Sequence, residues 1–78
     1  MLKPKGVIMG NVYKKVELVG TSSQSIEDAI QTALTRARKT LRNLDWFEVK
    51  EIRGSLRDGY FNTYQVVLEV GFRLDDEG

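Results

Sequence analysis

The chain has 78 residues, 12 Lys and Arg against 11 Asp and Glu for a formal net charge of +1, and neither Cys nor His. One domain of this size buries too little apolar surface to rest on its own core, and the lack of Cys and His excludes a disulfide framework and the usual zinc sites, so self-association is the expected staple. Near-neutral charge excludes strong steering to nucleic acid or acidic membranes, and with no apolar run of signal-peptide or membrane-span length the expectation is a cytoplasmic protein with no membrane partner.

Residues 1–9 read as an N-terminal extension, leaving initiation open between Met1 and Met9, and a single domain is expected over 10–75. In "NVYKKVELVG" Val12, Lys14, Val16 and Leu18 alternate with Tyr13, Lys15, Glu17 and Val19, which places a first strand at about residues 11–20. The period then changes. Ile26, Ala29, Ile30, Ala33, Leu34, Ala37, Leu41 and Leu44 recur at the spacing of a one-sided helix. Ser25 and Asp28 have capping-box spacing, and acidic residues open the helix while Arg and Lys close it, as the macrodipole prefers. "WFEVKEIRGS" reads as a second strand, "LRDG" as a turn and "YFNTYQVVLEVGFRL" as a long third strand. In that strand Tyr64, Val66, Leu68, Val70 and Phe72 face one side and Gln65, Val67, Glu69, Gly71 and Arg73 the other. Residues 76–78 form an acidic tail. A helix crossover leaves room for the third strand between the first two. The fold class is therefore α+β: a β-α-β-β subunit with a three-stranded antiparallel sheet in the order 1-3-2, wrapped around one helix.

The sheet face away from the helix carries Gln65, Val67 and Glu69, too apolar to be merely solvated and too polar for a core, which suits a wet or shared interface. Catalysis is poorly provisioned. There is no His, Cys, GxGxxG or phosphate loop, and the carboxylates have no pair spacing, so the chain is not expected to be an enzyme. On general grounds Trp46, the single tryptophan, is core or subunit interface, Gln65 a solvated strand residue, and Arg53 and Arg73 cross-strand ion-pair partners. Arg36, Lys39, Thr40 and Arg42 fall, at helical spacing, on an arc beside and behind the apolar stripe, ordinarily a solvated face.

"VYKKVELVGTS", "AIQTALTRARKTLRNLDWFEV", "KEIRG" and "YQVVLEVGFRL", in that order and spacing, resemble the dodecins, small flavin-binding proteins of bacteria and archaea, over about residues 10 to 74. The first eight residues precede the usual start, and "SLRDGYFN" departs in wording while keeping its length. The resemblance implies a hollow homododecamer that stores or sequesters a flavin, FMN or riboflavin. It implies that Trp46 stacks on the isoalloxazine near a two-fold axis, sandwiching the ligand between indoles of two subunits and quenching its excited state. Gln65 matches the family glutamine that pairs with the flavin's polar edge, and Arg53, with Arg73, joins the flavin-binding set. Some similar bacterial dodecins also hold coenzyme A at subunit junctions, where Arg36, Lys39, Thr40 and Arg42 would meet its phosphates. Two other classes stay open: a ligand-free homo-oligomeric scaffold, and a single-strand nucleic-acid binder, whose groove the glutamates Glu48, Glu51 and Glu69 would spoil.

Overall fold

Four elements occupy residues 10–75, which the computed structural model describes: β1 (Tyr13–Ser22), α1 (Ile26–Arg38), β2 (Leu44–Arg57) and β3 (Tyr60–Arg73). The expected extension at 1–9 and tail at 76–78 lie outside the described residues. The strands form one antiparallel sheet in the order β1-β3-β2, as the crossover argument requires. The hairpin turns on Asp58 and Gly59, both at positive φ (52° and 82°), a two-residue loop whose twist suits the flanking strands. Leu56 and Arg57, expected in the turn, are therefore still strand.

Helix α1 starts where the capping residues are. Ser25 Oγ accepts from the Asp28 backbone N–H at 2.9 Å. The reciprocal arm of the expected capping box is rerouted: the Asp28 carboxylate accepts from the Ser22 hydroxyl at 2.7 Å, and Ser22 Oγ takes the Gln24 N–H at 2.9 Å. The helix stops at Arg38, earlier than the apolar stripe suggests. Lys39 caps it, and Asn43 adopts a left-handed φ of 63°, a conformation asparagine tolerates better than most residues. Its amide donates to the Arg73 carbonyl at 3.1 Å and to Asp75 at 2.8 Å, which locks the loop to the end of β3. Leu41 and Leu44 still pack on the core, but from the loop and from β2.

The core lies between α1 and the middle of the sheet: Ala29 and Ala33 against Val66, Leu68 and Val70, flanked by Val16, Leu18, Ile26, Ile30 and Leu34. Small helix residues let the backbones approach closely. A Cβ on Gly20 would run into the Ala29 carbonyl and come within 3.0 Å of the Ala33 Cβ, so only glycine fits β1 there. The helix packs on β1 and β3. On the same side of the sheet β2 presents Phe47, Val49 and Ile52, which remain 44%, 40% and 52% exposed. An apolar strand face of that extent needs a cover that the described residues of one chain do not supply.

Candidate functional site

Trp46 owes its direction to one extra residue. Leu44 pairs with Phe72 and Trp46 with Gly71, so β2 advances two residues while β3 advances one, and Asp45 is a bulge. Regular alternation would put Trp46 on the face of Leu44, against the core; the bulge turns it to the opposite face. There it remains 41% exposed. Tyr13 of β1 stands beside it, ring centroids 5.1 Å apart and planes tilted by 57°. An open recess of about 230 Å³ between α1 and β2, lined by Leu34, Arg38, Leu44, Phe47 and Val70, reaches the base of Trp46.

Arg53 and Gln65 meet in register further along the same outer face. Arg53 Nε donates to Gln65 Oε1 at 2.6 Å, and Nη1 to Glu51 Oε1 at 3.2 Å. A guanidinium only donates, so the amide atom facing it must be the oxygen, and the Gln65 NH₂ is left to donate elsewhere. Arg53 is thus already held by two acceptors. Arg73 lies at the Trp46 end as the register partner of Tyr13, with its main chain tied to Asn43. Among the described residues its guanidinium forms no salt bridge. The four residues form two groups. Gly71, opposite Trp46, and Gln65 are six positions apart on β3, about 20 Å at the rise of a strand, so one subunit cannot lay Trp46 and Gln65 on the same ring.

The expected arc of Arg36, Lys39, Thr40 and Arg42 is corrected by the early end of α1. Arg36 and Lys39 flank a shallow recess of about 360 Å³ with Thr32 and Thr35. Thr40 and Arg42 lie past the helix, in a separate recess of about 200 Å³ beside Phe72 and Leu74, where Arg42 pairs with Asp75 at 3.2 Å.

Between the two ends of the outer face, Glu17, Glu69 and Glu48 stand abreast on the three strands. Lys15 bridges Glu69 at 3.1 Å and Glu48 at 3.5 Å, and Lys50 lies 3.9 Å from Glu69. Glu69 Oε1 is shut off from water, and its approach to Lys15 is that of an ion pair more than of an aligned hydrogen bond. Contact with the ammonium holds the Glu69 carboxyl below its ordinary range, although partial desolvation opposes this. Contact with Glu69, helped by Glu48, raises Lys15. A lowered carboxyl contributes stability that is complete above the ordinary carboxylate range and lost as pH falls through the lowered value. A raised ammonium contributes stability complete below the ordinary lysine value and lost as pH rises through the raised one. Thermal unfolding midpoints are therefore expected to be level through neutrality and to fall on acidification below the carboxylate range, with Glu69→Gln giving a shallower acid limb. Acid limbs of equal slope in differential scanning fluorimetry would contradict this.

Tyr13 and Gly71 were not singled out by sequence reasoning. Alternation does put both on the outer face, but without the Asp45 bulge Trp46 does not join them. The fold and the site together define a class: a β-α-β-β subunit with an uncovered apolar strand and an aromatic ring held outside its core, the build of a multimeric, small-molecule-binding protein. The family profile for dodecin matches residues 12–75. The chain is 71% identical over 68 residues to the dodecin of Thermus thermophilus, spanning 87% of this chain and 99% of that one. A crystal structure of a Thermus thermophilus protein superposes with a TM-score of 0.82 at 69% identity, covering 87% of this chain and 100% of that one. The calcium dodecin of Mycobacterium tuberculosis is 33% identical over 64 residues, 82% of this chain and 90% of its own. This chain belongs to the dodecin family.

Proposed function

We propose that the protein is a flavin-binding storage or sequestration protein, not an enzyme, that stacks FMN or riboflavin on Trp46 within a homododecamer and quenches the flavin's excited state. The observation that carries this reading is the position of the indole: turned out of the core by a bulge, supported by the sheet, and open on its outer side. Oxidised flavin is a flat, electron-poor ring system and indole an electron-rich one, so stacking supplies about 0.5 to 1.5 kcal/mol beyond area burial and a route for electron-transfer quenching. The 20 Å separation of Trp46 from Gln65, about six strand residues, requires that a ligand touching both be shared between subunits, which fits a two-fold site. The uncovered face of β2 supports self-association independently. A second ligand, coenzyme A, would rest on Arg36 and Lys39, which line one recess together with Asp28.

Titration of riboflavin or FMN into the protein, followed by flavin emission and by light scattering, tests the reading. Saturable quenching on a particle of about twelve subunits is the expected result; unquenched flavin would leave the ligand-free scaffold as the function. Gln65→Ala is expected to weaken binding by about 1 to 3 kcal/mol, because the flavin edge loses its donor and Arg53 loses one acceptor. Equal affinity in the same titration would mean that the amide does not reach the ligand.

A further inference from the structure

The indole of Trp46 has a seat. A Cβ built on Gly71 would fall within 2.6 Å of three contiguous indole atoms, Cζ2, Cε2 and Cη2, at nearly equal distances. Near-equality places that point beneath the ring face; an approach in the ring plane would leave the two flanking atoms distinctly further away. The indole, rooted on β2, therefore lies across β3 over the bare backbone of Gly71. At its far side it meets Tyr13 of β1, tilted by 57° with centroids 5.1 Å apart. Lys15, the β1 partner of Gly71, would cover the same ground, but its ammonium is drawn along the sheet to Glu69 and Glu48. Glycine within a central strand weakens it and marks a place where something approaches the backbone closely. Here the approaching group is the chain's own tryptophan.

We propose that Gly71 and Tyr13 are positioning residues of the ring-stacking site. Gly71, having no side chain, lets the indole lie along the sheet, and Tyr13 limits its swing beyond β3, so that one face is sealed and the other is presented to a planar, electron-poor heteroaromatic ring. The ligand rests on the flavin reading; the pose of the indole does not. The two are separated by measuring each with its own probe in the full chain, where a single tryptophan makes the signals unambiguous. In ligand-free Gly71→Ala the long-wavelength tryptophan circular dichroism is expected to lose most of its amplitude and acrylamide quenching to rise, with the sizing-column position kept. Riboflavin affinity is expected to fall by about two- to tenfold, as loss of a good stacking contact implies. Tyr13→Leu, which adds no volume and so guards against a folding failure of the first variant, moves the same readouts in the same direction, whereas Tyr13→Phe restores them. Unchanged dichroism and acrylamide quenching in both Gly71→Ala and Tyr13→Leu would overturn the seat. A changed pose with unchanged riboflavin affinity would overturn its positioning role. If wild type fails to quench riboflavin, the flavin reading fails, and the seat stands or falls on the ligand-free measurements.

Discussion

Trp46→Ala is expected to cost about 2 to 4 kcal/mol in riboflavin binding, on the order of a hundredfold, the loss typical of removing a central aromatic anchor. Any flavin still bound should emit strongly, because the same contact supplies both stacking and the electron donor. The oligomer should survive. Trp46 is outside the core between α1 and the sheet, and its removal uncovers Gly71 and Tyr13 without emptying a buried cavity. A structural anchor predicts a different outcome, in which the ligand-free mutant elutes as smaller species and melts at much lower temperature. Titration by emission, read beside a sizing column and a melting curve, separates the two. Equal quenching by mutant and wild type, or collapse of the mutant assembly without ligand, would remove Trp46 from the site.

Most of the fold can be read from the sequence because its signals are local. Helical spacing from Ile26 to Ala37, alternation from Tyr64 to Phe72, and the Asp58–Gly59 pair each specify their element directly, and the 1-3-2 order follows from connection lengths. The misplaced helix end has a physical origin, since residues that face a core show their burial but not the element that carries them. Leu41 and Leu44 continue the helical stripe and do reach the core, yet the helix has ended at Arg38, and beyond it Asn43 turns left-handed and ties itself to Arg73 and Asp75, residues 30 and 32 positions away. That partnership is tertiary, and no local pattern announces it.

The site divides in the same way. Trp46 stands out by rarity and Gln65 by alternation, but the Asp45 bulge that aims the indole, the Gly71 gap beneath it and the Arg53 contact that orients Gln65 arise only when β2 and β3 are in register. The extended spacing of "WFEVKEIRG" also conceals a second bulge between Val49 and Glu51. With Lys50 as the extra residue, Phe47, Val49 and Ile52 share one face, a grouping that strict alternation would deny to Ile52.

That grouping sets the last expectation, for Ile52→Asp. Ile52 is the register partner of fully buried Val66, faces the helix side of the sheet, and is half-exposed because α1 packs over β1 and β3. If a second copy covers this face, full burial of a side chain of this kind stabilises each subunit by about 1.5 to 3 kcal/mol. A carboxylate there loses that contribution and adds a desolvation penalty of several kcal/mol per ion with no partner charge. Symmetry repeats the cost at every copy. For a chain with so small a core, self-association and folding are expected to fail together: Ile52→Asp should run as small species by light scattering and lower the unfolding midpoint by more than about 10 °C, since 1 kcal/mol shifts a domain of this size by about 4 to 8 °C. Ile52→Val, which keeps shape and charge, should retain the assembly. An Ile52→Asp protein that elutes and melts like wild type would mean that this face of β2 meets water, and the cover for the small core would have to come from the outer face instead.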